Sequence, residues 1–115
     1  MSVNCSSHPT AKTIGGFGCP TRHQTLITET CLRMNDFLLE KNKAYGNSAF
    51  EPINLMSKAD AETQLRVRID DKLNRLKRGT EFQGDDTIKD LCGYMILLMA
   101  VREKQKLQEA GEWQE

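Results

Sequence analysis

The sequence predicts an all-α protein, a small helical bundle of about three main helices completed by oligomerisation. Apolar residues recur at three- and four-residue steps in three separate stretches, cap and turn residues bracket those stretches, and no segment alternates polar and apolar side chains as a strand would. Residues 1–20, rich in Ser, Thr, Gly and Pro and including Gly15-Gly16-Phe17-Gly18, have no periodicity that would bury a face, and are expected to form an irregular or flexible N-terminal segment. Thr21 and Gln24 have the spacing of a capping box, and Ile27, Cys31, Met34 and Leu38 then mark a helix from about Thr21 to Lys43. Gly46 suits the left-handed residue that ends it, and Pro52 delays a restart.

The connection is expected to run to about Met56. Ser57, with Asp60 three positions on, resembles the cap of a second helix, in which Leu65, Ile69, Leu73 and Leu76 form the apolar stripe and Lys77-Arg78-Gly79 the end. Gly84-Asp85-Asp86 opens a third. There Ile88, Leu91, Cys92, Met95, Leu98 and Met99 make one face and Ile96, Leu97 and Val101 widen it. A helix apolar nearly all round is expected to be central, and three helices of so short a chain cannot cover it, so a second subunit is expected to. One helical domain over residues 21–110 follows, with a C-terminal tail at 111–115.

At 115 residues and 38% apolar, the chain can build one modest core. Sixteen basic and sixteen acidic side chains cancel, which argues against a nucleic acid polymer or an anionic membrane as partner. The longest apolar stretch, Leu91 to Val101, is well short of the roughly 20 residues a bilayer span requires, and the N-terminus lacks an apolar signal core, so a cytoplasmic protein is expected. In that compartment Cys5, Cys19, Cys31 and Cys92 are expected to be reduced thiols.

Four constellations could carry chemistry. Asp86, Asp90 and Tyr94 stand four apart on one line of the third helix, where two carboxylates could share Mg²⁺ with a phosphate. Asp86 is equally a helix cap, and Asp90 is open to a structural ion pair. Arg68, Asp71, Lys72 and Arg75 share a face of the second helix opposite the leucines, as a solvated charge-laced face or a ligand site would. Lys41, Lys43, Tyr45, Asn47 and Ser48 gather ammonium groups, a ring, an amide and a hydroxyl at a helix end, which are groups a phosphate and a stacked base would use. Lysines there also complement the helix dipole. Cys5, His8, Cys19 and His23 could in principle ligate zinc, but their order differs from the common finger pattern and zinc is not the expected occupant.

Lys-Asn-Lys-Ala-Tyr-Gly-Asn-Ser at 41–48, Arg-Ile-Asp-Asp-Lys-Leu-Asn-Arg-Leu at 68–76 and Asp-Thr-Ile-Lys-Asp-Leu-Cys-Gly-Tyr at 86–94 resemble, in this order and spacing, the nucleotide modification associated domain family of phages and bacteria. The resemblance covers roughly residues 25–102. That family is similar in turn to the all-α NTP pyrophosphohydrolases, the MazG-like and dimeric dUTPase group, whose acidic side chains hold Mg²⁺ against a triphosphate. Carried over, the resemblance implies the Asp70-Asp71 pair with Asp86 and Asp90 as the metal side, Asp71, Asp86 and Asp90 as its ligands if Mg²⁺ is used, and Lys41, Lys43 and Tyr45 as the phosphate and base side. The Glu-x-x-Glu pair of those enzymes has no counterpart among Glu29, Asp36 and Glu40.

Two functions follow as expectations. One is an oligomeric protein that binds a phosphorylated nucleotide, cyclic and signalling nucleotides included, through Lys41, Lys43, Tyr45, Asn47, Arg68, Lys72, Arg75 and Tyr94. For a phage protein acting in the host cytoplasm this would sequester a signal used in defence. The other is a Mg²⁺-dependent nucleoside triphosphate pyrophosphohydrolase. A structural or partner-binding helical module is the third possibility.

Overall fold

The computed structural model describes residues 19–79 and 86–114. The protein is all-α, and among the described residues three helices account for its regular structure: α1 (Arg22–Tyr45), α2 (Ala61–Arg78) and α3 (Thr87–Glu109). None of them is long and apolar enough to cross a membrane. The chain divides into two units, Met1–Glu40 and Lys41–Glu115, and α1 runs across the boundary.

The α1 start is the reciprocal capping box read from the sequence. The Gln24 amide N–H donates to Thr21 Oγ1 at 3.1 Å while the Thr21 amide N–H donates to Gln24 Oε1 at 2.9 Å, so two otherwise orphaned donors are satisfied. At the other end Gly46 takes φ 64°, and the Asn42 side-chain amide donates to the Gly46 carbonyl at 3.0 Å and to Asn47 Oδ1 at 3.1 Å. No residue of α1 is buried.

The start of α2 corrects the expectation. Its cap is Asp60, which accepts from the Thr63 amide at 2.8 Å, and not Ser57. The Ser57 hydroxyl instead accepts from the Ala59 amide at 3.1 Å, a local turn that removes it from helix capping. Thr63, by hydrogen bonds from its side chain and its backbone, lowers the Asp60 pKa from its ordinary value, because a charged acceptor is the better partner. Gly79 closes α2 at φ 68°, its amide directed at the Arg75 and Leu76 carbonyls. A Cβ there would meet nothing within 4 Å, so Gly79→Ala is expected to cost only the left-handed conformation, about 1–2 kcal/mol, read as a lower denaturation midpoint with unchanged m.

In the Lys41–Glu115 unit, α2 and α3 pack against each other. Leu65 and Ile69 of α2 are buried, as are Thr87, Gly93 and Val101 of α3, with Leu91, Tyr94, Leu97 and Leu98 half-buried on the same side of α3. The expected inward face of α3 is therefore corrected. Ile88, Cys92, Met95 and Met99 are exposed, because the cap at Asp86 and the pairing with α2 turn the Thr87–Tyr94–Val101 line inward. The C-terminal end is a Schellman turn around Gly111 (φ 72°), with Glu112 N–H to Leu107 O at 2.8 Å and Gly111 N–H to Gln108 O at 3.1 Å.

Candidate functional site

Charged contacts tie the α2–α3 unit together, and apart from the i,i+4 pair Glu62–Arg66 they join residues too far apart in sequence to be read from spacing. Lys72 Nζ lies 3.2 Å from Asp90 Oδ2, and the two side chains are only 14% and 27% exposed. Glu62 of α2 bridges two guanidinium groups, Arg102 of α3 at 3.1 Å and its own Arg66 at 3.2 Å. Lys104 of α3 reaches Glu51 at 3.3 Å, between the rings of Phe50 (5.9 Å) and Trp113 (5.1 Å).

The hydrogen bond from Arg102, and then that from Arg66, hold the Glu62 carboxyl below the ordinary glutamate range. A depressed folded value stabilises above the unfolded pKa and is lost as pH falls through the folded one. The stability gap between wild type and Glu62→Gln is therefore expected to stay constant above about pH 6 and to shrink once pH passes below 4.5, as urea midpoints across that range would show.

These contacts sort the residues singled out by sequence. Asp86 is the α3 cap, accepting from the Lys89 amide at 3.0 Å. Asp90 is the ion-pair partner of Lys72, so a carboxylate assigned to the metal side and a lysine assigned to the phosphate side meet each other. Asp71 is exposed on α2. Among the described residues no three His, Cys, Asp or Glu side chains stand together in a way that could hold a metal ion. Of the four residues weighed for zinc, Cys5 and His8 lie outside the described residues. Cys19 is disulfide-bonded, which corrects the expectation of reduced thiols at this position. It precedes α1 in irregular backbone, whereas Cys31 and Cys92, fixed on helices, are free thiols.

The basic and aromatic residues form two groups. Lys41, Lys43, Tyr45 and Asn47 lie at the exposed C-terminal end of α1, with Lys41 Nζ 5.8 Å from the centroid of the Tyr45 ring. Asn47 is engaged with Asn42 and shapes the turn. Arg68, exposed, and Lys72 and Arg75, half-buried, follow one line of α2, with Tyr94 half-buried on α3. Away from both groups, between the 50–54 connection, the start of α2 and the C-terminal half of α3, the unit has a feature that sequence reasoning missed, a cleft of about 410 Å³ lined by Phe50, Asn54, Asp60, Lys104, Gln105 and Gln108 among others. Its lysine is already neutralised by Glu51, so it offers carboxamides and a carboxylate rather than an anion site. Glu51 and Lys104 are too far apart in the chain for any helical spacing to reveal their pairing. No known protein family, curated protein or solved structure matches the chain.

Proposed function

We propose that the protein binds a phosphorylated nucleotide and holds it intact, so that it sequesters the nucleotide rather than turning it over. The observation that carries this is the state of the carboxylates. Asp86 is engaged as a cap and Asp90 with Lys72, while Lys41, Lys43 and Tyr45 stand exposed at a helix end and Arg68 and Arg75 line α2. A cationic and aromatic set with no gathered acidic one among the described residues suits phosphate and base recognition better than metal-assisted hydrolysis. Lys72 serves this site indirectly, by keeping Asp90 from repelling an incoming phosphate.

The test is incubation with nucleoside triphosphates and cyclic nucleotides, with and without Mg²⁺, followed by removal of free ligand, denaturation and chromatography. Recovery of one intact nucleotide, independent of Mg²⁺, is expected. Pyrophosphate released only with Mg²⁺ would establish the hydrolase instead. Lys43→Ala is expected to weaken binding by roughly 1.5–3 kcal/mol, as loss of a charged hydrogen bond does. An unchanged titration curve would remove Lys43 from the site.

A further inference from the structure

The inward line of α3 changes character toward its C-terminal end. Thr87, Tyr94 and Val101 succeed one another at seven-residue steps, buried or half-buried, and the next position on that line is Gln108. Gln105 stands beside it, one turn on from Val101. α2 runs antiparallel to α3, Lys72 meeting Asp90 and Glu62 meeting Arg102, so these two glutamines lie level with the start of α2 or beyond it. There the 50–54 connection and Asp60 face them across the cleft of about 410 Å³. Leucines at 105 and 108 would close such a space, whereas carboxamides keep it open and wet.

The lining is built for a neutral ligand. Lys104 is the cation of the lining, and its side chain, 12% exposed, is paired with Glu51 and lies over the rings of Phe50 and Trp113. An anion entering the cleft would meet Asp60 and Glu51, with that ammonium already engaged. A cation would have to displace Lys104 from Glu51 and Phe50. The side-chain amides of Gln105 and Gln108, by contrast, make no hydrogen bond among the described residues. Each holds an N–H donor and a C=O acceptor side by side.

We propose that this cleft takes the uncharged base of a nucleoside, its donor–acceptor edge paired with the carboxamides of Gln105 and Gln108 and its exocyclic amino group donating to Asp60. Carboxamides read adenine by such a pairing, and carboxylates accept from the amino group of cytosine. A flat ring suits a lining in which Phe50, Pro52, Ala61 and the buried Val101 supply apolar surface between the polar groups. The volume falls within the roughly 300–1,000 Å³ usual for small-molecule clefts. This site is separate from the exposed lysines and Tyr45 at the end of α1, and it does not rest on the nucleotide binding proposed above.

Calorimetric titration of the full chain with adenosine, cytidine, guanosine and uridine tests the proposal. Trp113, the single tryptophan, has its ring 5.1 Å from Lys104 Nζ and gives a fluorescence signal from the same place. Saturable binding of one nucleoside per chain is expected, with an amino-bearing base held at least about tenfold tighter than uridine. The double variant Gln105→Leu, Gln108→Leu is expected to lose at least about tenfold in affinity at an unchanged urea midpoint, since both side chains are exposed. Asp60→Asn, which keeps a capping oxygen for α2, is expected to narrow the preference over uridine.

No saturation by any of the four nucleosides, or an affinity unmoved by the double glutamine variant, would overturn the site. Tyr45→Ala separates it from the nucleotide reading. That variant is expected to weaken nucleotide retention and leave nucleoside affinity as it was. If it abolishes nucleoside binding as well, the base sits at the end of α1, and the cleft proposal falls while nucleotide binding stands. Nucleoside binding by a chain that retains no nucleotide would leave the cleft standing and remove the other.

Discussion

Leu65→Ala is expected to lower the unfolding free energy by about 2–5 kcal/mol, the largest effect of any single substitution considered for this protein. Leu65 is 3% exposed, and among the described residues the fully buried apolar side chains are Leu65, Ile69 and Val101. Truncating it removes the transfer free energy of the lost methyl groups and leaves a void where α2 meets α3, in a core with few neighbouring side chains to fill it. Domains of this size are commonly stable by only 5–15 kcal/mol, so a large share would be gone. A urea titration should show a lower midpoint at unchanged m, while Leu73→Ala, at an exposed position of the same helix, should cost well under half as much. Equal costs at the two positions would mean that the α2–α3 contact is not the centre of the core.

Breaking the Lys72–Asp90 pair comes next in size. Lys72→Met is expected to cost about 1–3 kcal/mol, below the range for a fully buried pair because Asp90 keeps some access to water. The penalty comes mainly from the carboxylate left behind in a half-buried place, so the double variant Lys72→Met, Asp90→Leu should recover much of the loss. A double-mutant cycle measures the coupling directly. A coupling near zero would mean that the pair contributes nothing, and Asp90 would again be available to a metal ion.

Local signals were legible where residues close in sequence decide the outcome. The Thr21–Gln24 capping box, the left-handed glycines 46 and 79 and the Asp86 cap each depend on side chains within four positions of one another, and the structure has them all. The Ser57 start failed for a related reason. Ser57 and Asp60 both offer an oxygen to a nearby amide, and only the turn at Ala59 shows that the serine is already engaged. The exposed side of α3 was illegible because its hydrophobicity is spread around the helix, so periodicity cannot say which line faces α2. Of the candidate site, the position of Lys41, Lys43 and Tyr45 at a helix end was legible, but not the fate of Asp90, whose partner is eighteen residues distant on another helix.

By itself, the sequence determined an all-α chain, the three helices of its described residues and most of their ends, because caps, turns and apolar periodicity act within one or two turns of helix. Tertiary structure alone decided which line of α3 is buried, that Lys72 meets Asp90, and that Lys104 clasps Glu51 between two rings. Those pairings join residues from 18 to 53 positions apart, and they depend on the rotation of α2 and α3 about their own axes, which burial of Leu65, Ile69 and Val101 sets.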